Sequence, residues 1–308
     1  MVNFGVQIQQ EELEYAEIRK IVQECESLGF DSVWLYDHIY PLSPPLQKSV
    51  LDCWVTLAAL AVETDTIRLG SLVTCNLFRH PPLLAKMSAT LDVISEGRLE
   101  FGIGAGWYED ECIAYGIPFP KAGTRINQLR EAVQIIKKMW TQNETSFEGK
   151  YYNVKNVFCN PKPLQKPHPP IWIGGKGEKL LKVTAEFGNA CNLPWCTPEQ
   201  LKQKIDYIQK CCASLGREPN SLTVSLYFDV LIGKNKKEVT EKLLKFKWEG
   251  VPDEKYRSVN IVGTPSECLE RIKEYIDAGA TYYILSFPEI SKLDSLRLFA
   301  NSVLSALK

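Results

Sequence analysis

The chain has 308 residues, 36 basic against 37 acidic side chains, 24% charged and 45% hydrophobic content. That balance leaves enough apolar material for a large core and no field that would recruit nucleic acid or an anionic membrane. The first ten residues show no secretory-signal pattern, and the longest apolar run, 54–62, is too short to span a bilayer.

Residues 3–8 read as the first strand. A helix follows over 11–28, with Leu13, Ala16, Ile21, Cys25 and Leu28 near helical spacing and Gly29 as its stop. The second strand covers 32–36, and a loop containing Pro41, Pro44 and Pro45 leads to a helix over 52–63. A third strand at 67–74, a helix at 82–94 stopped by Gly97, and a fourth strand at 99–103 form a parallel strand–helix–strand unit. From Thr124 a helix places Leu129, Val133, Ile136 and Trp140 on one face.

Over 141–170 the pattern changes to β-like pieces around 146–152 and then a proline-rich run, 161–170, which cannot be helix. This excursion precedes the fifth strand at 171–173, a helix at 178–187 and the sixth strand at 190–193. Thr197-Pro198-Glu199-Gln200 and Thr264-Pro265-Ser266-Glu267 each combine a capping hydroxyl, a proline in the first turn and a reciprocal Gln or Glu, so both start helices. The seventh strand is 223–231, and 236–261 holds a helix and an inserted loop around 250–260. A helix at 265–278, the eighth strand at 282–285 and a last helix at 291–307 complete the order.

Eight strands alternating with helices predict an α/β fold, a (β/α)8 TIM barrel over residues 1–308 as one domain, with insertions at the C-terminal strand ends. A doubly wound dinucleotide fold would want G-x-G-x-x-G after the first strand, and Gly5 has no such neighbours. The ten cysteines are scattered without a CxxC, and only three histidines could share a metal. Reduced thiols in a cytoplasmic protein without a metal site are therefore expected.

In such a barrel the loops after the strands build the active site. Asp37-His38 follows the second strand, where an imidazole titrating near neutrality can give or take a proton beside a carboxylate. Gly104-Ala105-Gly106 after the fourth strand removes bulk, for a flat ring or a tight turn, with Trp107 as a wall or a cap on the core. The turn of Gly174, Gly175, Lys176 and Gly177 precedes a helix start that could hold phosphate, although such turns also use glycine for geometry alone. Glu109 and Glu111 read first as solvated or helix-dipole acids, and His80 and His168 as structural.

These segments together resemble the luciferase-like flavin and deazaflavin oxidoreductases. The matching stretches are Gly29-Phe30-Asp31-Ser32-Val33-Trp34, Asp37-His38, Arg68-Leu69-Gly70, Gly104-Ala105-Gly106-Trp107, Tyr115-Gly116-Ile117-Pro118-Phe119-Pro120 and Ile171-Trp172-Ile173-Gly174-Gly175, fading after about Leu193. The resemblance implies a barrel with an isoalloxazine-type ring over the strand ends, backed by a bulge with a non-prolyl cis peptide near Leu72, Val73 and Thr74. It implies that Asp37 and His38 lie near the reactive face and that Gly174, Gly175, Lys176 and Gly177 take the cofactor phosphate; Gly106 and Trp107, read above as room and wall for a flat ring, are expected to touch the cofactor beside them. Some sugar-phosphate-oxidising relatives carry a carboxylate where this chain has Trp107, so neither that substrate class nor a two-acid mechanism carries over from them.

The activity implied is hydride transfer between coenzyme F420 and a small organic substrate, with His38 as proton handler and Asp37 helping to orient the site. An FMN-dependent monooxygenase is the alternative, since the same barrel serves both cofactors, and a flavin-binding protein without turnover is a third reading. The partner expected is a small-molecule substrate, with no nucleic acid and no membrane; homodimerisation stays open. Substrate contacts are expected from the variable loops at 41–50 and 250–260.

Overall fold

Eight parallel strands close into a ring, and their registers show how. The computed structural model describes residues 2–42 and 44–308; Met1, and Ser43 in the proline-containing loop, lie outside the described residues. The first half holds β1 (Asn3–Ile8), α1 (Tyr15–Ser27), β2 (Ser32–Leu35), α2 (Cys53–Ala61), β3 (Arg68–Ser71), β4 (Thr74–Cys75), α3 (Pro81–Ile94), β5 (Leu99–Gly104), α4 (Glu109–Ala114) and α5 (Ala122–Thr141). Then come β6 (Thr145–Glu148), β7 (Asn153–Val157), β8 (Ile171–Gly174), α6 (Glu178–Phe187), β9 (Ala190–Pro194), α7 (Pro198–Ser214) and β10 (Thr223–Ile232). The chain ends with α8 (Lys236–Phe246), α9 (Asp253–Val259), β11 (Ile261–Gly263), α10 (Pro265–Asp277), β12 (Tyr282–Ser286), α11 (Asp294–Phe299) and α12 (Ser305–Leu307).

The pairing runs β1-β2-β3-β5-β8-β9-β10-β12 and back to β1, every step parallel. This is the (β/α)8 barrel that the alternation predicts. β6 and β7 form an antiparallel hairpin outside it, and β11 extends from the end of β10.

Strand side chains alternate between two cores. One set, including Phe4, Val33, Leu69, Phe101, Ile173 and Tyr283, packs outward against the helices. The other, Trp34, Trp172, Ala190, Tyr227, Tyr282 and Ile284, forms a separate cluster inside the ring. Trp34 crosses the interior because two neighbouring strands give way. A Cβ on Gly5 would lie 2.6 Å from Trp34 Nε1, and one on Gly70 would lie 2.3 Å from Trp34 Cε3. Below it, Ser32 Oγ accepts from Trp34 Nε1 at 2.6 Å and bonds Tyr282 Oη at 2.7 Å, while buried Glu100 takes Arg68 and Trp172 Nε1. These bonds satisfy the buried polar groups and plug the N-terminal end of the ring.

Both Thr-Pro segments are helix starts with reciprocal capping boxes, as expected. Several expectations change. The third strand is not continuous over 67–74: β3 stops at Ser71, the Leu72–Val73 peptide is cis, and β4 resumes at Thr74 beside the end of β5. The physical reason is the Val73 side chain, which turns into the ring against Gly104 and Gly174. The first helix begins at Tyr15 rather than near residue 11, because Glu14 caps it with Glu17 while Glu11 bridges Val50. The expected loop at 250–260 is largely α9, anchored by buried Tyr256. The last helix begins as a 3-10 turn at Ile290–Lys292 and widens into a π turn at Ala300–Leu304. All ten cysteines are unpaired, nine of them buried, and among the described residues no helix is long and apolar enough to cross a membrane.

Gly70→Ala is expected to destabilise the fold by about 2 kcal/mol or more, since the added methyl meets the indole in a packed interior. Gly123→Ala, with open space around its Cβ in the first turn of α5, should be neutral or stabilising. Equal urea midpoints for the two variants would refute this account of the barrel floor.

Candidate active site

The open end of the barrel holds a cavity of about 570 Å³, lined by the C-terminal ends of every barrel strand except β12. Its position follows from the packing: polar plugs and Trp34 fill the lower ring, and the side chains at the strand ends leave the space above them open. A larger recess of about 710 Å³ lies on the helical surface around Arg257, Glu267 and Arg271. It is open to solvent, and its Glu267 and Arg271 are paired with Lys236 and Glu274. The strand-end cavity, by contrast, gathers His38, Tyr36, Tyr227, Gln7 and Asn192 around one space.

His38 lines that cavity with an acidic partner. Its Nδ1 stands 2.8 Å from Glu111 Oε1, and Glu111 Oε2 accepts the Ile39 amide at 3.2 Å. A carboxylate only accepts, so Nδ1 is assigned the proton and Nε2 is the ring atom left for a ligand. The ring is further fixed edge-on by Tyr36 and Trp107, with centroids at 5.2 and 5.5 Å. Glu111 is 2% exposed, so it is neither solvated nor a mere helix-dipole partner, as its sequence context suggests. Glu109 and Asp110 are exposed in the same turn.

Asp37 turns the other way. Its Oδ2 accepts from Arg79 Nη1 at 2.7 Å and from the Cys75 amide at 3.0 Å, and its buried Oδ1 has no protein partner. Arg79 also reaches Asp52 at 3.0 Å. Burial pushes the Asp37 carboxyl upward, while the guanidinium and the amide pull it back. Cys75 lines the cavity, but burial pushes its thiol up to about 12, which leaves it a neutral thiol. Burial likewise raises the Tyr36 and Tyr227 phenols, so both stay protonated donors at neutral pH.

Leu72, Val73 and Thr74 line the cavity as the bulge between β3 and β4, with Thr74 Oγ1 tied to Ser71 Oγ at 2.8 Å. Gly106 and Trp107 also line it; Gly106 has φ +79, and Trp107 is 67% exposed and stacks on Tyr108. The space beside Gly104 and Gly174 is already taken by the Val73 methyls, 2.8 and 2.6 Å from where a Cβ would lie. Gly175 lines the cavity with φ +123, where a Cβ would also strike Leu180. Lys176 and Gly177 lie outside the lining: Lys176 is exposed and donates to the carbonyls of Pro194 and Trp195, and Gly177 caps α6.

The sequence reading does not single out Gln7, Asn192, Trp195 or Tyr227, all of which line the cavity. Gln7, Asn192 and Tyr227 share the inward parity of their strands, a signal that alternation carries once the barrel is assumed. Trp195 sits at φ +49 in the turn after β9 and had no such signal. His168 is buried with Nδ1 on the Pro169 carbonyl, and His80 packs on Tyr152 at the start of α3. Among the described residues, no group of three or more His, Cys, Asp or Glu side chains is arranged to hold a metal ion.

Residues 1–282 match the model of the luciferase-like monooxygenase family. A curated relative, the F420-dependent glucose-6-phosphate dehydrogenase of Microbacterium testaceum, is 26% identical over all of this chain and 98% of its own length. An F420-dependent secondary alcohol dehydrogenase solved with an F420-acetone adduct superposes with TM-score 0.87 at 20% identity, covering 99% of this chain and 98% of that one. The F420-dependent tetrahydromethanopterin reductase of Methanopyrus kandleri superposes at 0.85 with 21% identity, over 100% of this chain and 99% of its own.

Arg79→Ala is expected to cost about 3 kcal/mol in urea unfolding, because it strands the buried Asp37 carboxylate. Asp37→Asn added to that variant should recover part of the loss. A cost below about 1 kcal/mol for Arg79→Ala would mean that the pair does not brace the site.

Proposed function

Since the chain belongs to the luciferase-like monooxygenase family, we propose that it is a coenzyme F420-dependent oxidoreductase moving a hydride between the deazaflavin and a small alcohol–carbonyl pair. The observation that carries this reading is the His38–Glu111 pair on the cavity wall. Moving a hydride to or from a carbon bearing oxygen requires a proton to move on that oxygen, and a carboxylate-backed imidazole with a free Nε2 is the group for it. Relatives named for F420-dependent dehydrogenation, aligned over nearly their whole length, support the cofactor.

The residues present fit a flat ring with an anionic tail. The cavity runs from His38 past the bulge to the Gly175 turn and Leu180, at the N-terminus of α6. The first N–H groups of a helix have no partners within it, so that end suits a phosphate. When bound, the deazaflavin supplies the two-electron hydride acceptor or donor. Leu72, Val73 and Thr74 would lie against its ring; Gly174, Gly175, Lys176 and Gly177 would hold its phosphate; Gly106 and Trp107 would border it.

In the oxidation direction His38 Nε2 accepts the hydroxyl proton as the carbon gives up its hydride, and the Glu111 carboxylate stabilises the resulting imidazolium. In the reduction direction the same proton returns to the carbonyl oxygen. Asp37, committed to Arg79 and the Cys75 amide, is a positioning residue that anchors the start of β4, and not an acid in the reaction. Ten unpaired cysteines are consistent with a reducing compartment such as the cytoplasm. Val55 and Val62 at α2 and Leu83 and Ile94 of α3 are exposed apolar side chains; light scattering reads directly whether two copies associate.

Equilibrium titration should favour the deazaflavin over FMN; tighter FMN binding with oxygen-dependent turnover would replace this reading by an FMN monooxygenase. His38→Ala should lower kcat roughly 10²-fold with cofactor affinity within a few fold, and Glu111→Gln should lower it in the same direction. Full activity of the His38 variant removes it from the mechanism. Lys176→Glu is expected to weaken deazaflavin binding about tenfold, and an unchanged affinity would free the α6 turn from phosphate binding.

A further inference from the structure

The wall opposite His38 has a different character. β9 stands four strands from β2 in either direction round the ring, and its end places Pro194 and Trp195 on the cavity. Trp195 is 39% exposed there, at a left-handed φ of +49. Two aromatic edges hold it: Tyr227 with centroids at 5.7 Å and Trp248 at 5.1 Å, both near perpendicular. Behind these rings lies Asp229. It accepts from Trp248 Nε1 at 2.8 Å, Tyr256 Oη at 3.1 Å and Tyr227 Oη at 3.3 Å, and does not line the cavity. One carboxylate thus fixes both rings that flank Trp195, drawing on β10, the α8–α9 connection and α9.

The charges of the cavity point the same way. Among the described residues lining it there is no lysine or arginine, and its two carboxylates, Asp37 and Glu111, are already paired. Lys176 is turned onto the carbonyls of Pro194 and Trp195, outside the lining. An anionic substrate group placed against Trp195 would lose its hydration without meeting a cation in the lining, since Lys176 nearby is turned onto backbone carbonyls and assigned above to the cofactor phosphate, whereas an alkyl or aryl group there gains contact with a partly exposed indole.

We infer that the Trp195 wall is the subsite for the apolar substituent of an uncharged alcohol or carbonyl substrate, and that Asp229 is the positioning residue that sets it. This rests on the hydride-transfer reading above and narrows its substrate class, away from sugar phosphates. Tyr256 and Trp248 then have a purpose beyond packing: they carry the position of α9 to the cavity wall through one carboxylate.

The test titrates 2-butanone, 2-pentanone, 2-heptanone and glucose 6-phosphate into the protein loaded with oxidised deazaflavin, where no ketone can turn over, and into the protein alone, by calorimetry. Affinity should rise roughly threefold per added methylene, with glucose 6-phosphate at least 100-fold weaker than 2-heptanone. Trp195→Ala should flatten the series, with the loss growing from about twofold at 2-butanone to tenfold or more at 2-heptanone. Trp195→Phe should lie between, and serves if the alanine variant does not fold. Asp229→Asn should follow Trp195→Ala in direction, and in turnover of the matching alcohols its effect should fall on KM rather than kcat.

Glucose 6-phosphate binding as tightly as 2-heptanone overturns the substrate class. An equal loss at every chain length in Trp195→Ala overturns the subsite, and an unaltered series in Asp229→Asn overturns the positioning role. Graded ketone binding without any deazaflavin binding supports the subsite and defeats the hydride-transfer reading. Deazaflavin binding with turnover of a charged substrate and no graded series defeats the subsite alone.

Discussion

The seat of one side chain, Val73, organises the open end of this barrel. Its methyls occupy the space that a Cβ on Gly104 or Gly174 would need, and a Cβ on Gly102 would lie 1.9 Å from the Ser71 carbonyl just before it. Three glycines on two neighbouring strands therefore admit the bulge between β3 and β4: a larger residue at 102 would press on backbone, and one at 104 or 174 would displace the Val73 side chain. The bulge then carries Thr74 and Cys75 to the end of β5, where the Cys75 amide meets Asp37. Replacing any of these glycines would press on the wall that lies behind the cavity, so their small size serves the protein's own packing before it serves any ligand.

The two ends of the ring differ because the interior positions are spent differently. Toward the N-terminal end, Trp34, Trp172 and Tyr282 interlock with centroids 4.9 to 6.4 Å apart, and the polar atoms among them find one another. Toward the C-terminal end the inward positions include Gln7, Leu72, Gly104, Gly174, Asn192 and Tyr227, and together they leave the ring open. A plugged floor under an underfilled top produces one cavity at a fixed height. The strand-end residues converge on it without any long lid being needed.

Much of this was legible in the chain. Periodicity and stop signals place the strands and helices because those signals are local: Gly29, Gly97 and Gly279 adopt φ of +80, +83 and +100 where helices end. What local reading could not place is set by distant partners. Residues 67–74 read as one apolar strand, and the room that lets it break comes from Gly102, Gly104 and Gly174 on other strands. Glu111 belongs to an acidic run whose other members are exposed, and helical phase alone turns it inward beside buried Cys112. Residues 250–260 lack apolar periodicity because α9 is held largely by Tyr256 and the carboxylate of Asp229 rather than by a broad apolar face. The glycines after β5 and β8 were legible as small but not as already occupied.

The adjacency of Asp37 and His38 then acquires a geometric meaning. Successive residues at a strand end point to opposite sides, so a dipeptide following β2 can serve two neighbours at once. Asp37, its side chain wholly buried, reaches Arg79 and the start of β4, whereas His38, with 14% of its side chain exposed, reaches Glu111. Each carboxylate has its own cationic or hydrogen-donating partner, so the two acids share one cavity without either being left to face the other unpaired. The bulge and the imidazole are thereby indexed to the same two residues of backbone: a shift of β2 that moved one would move the other by the same amount. The His38–Glu111 pair and the Val73 bulge stay in register because both are tied to one strand end, His38 directly and the bulge through the hydrogen bond from the Cys75 amide to Asp37.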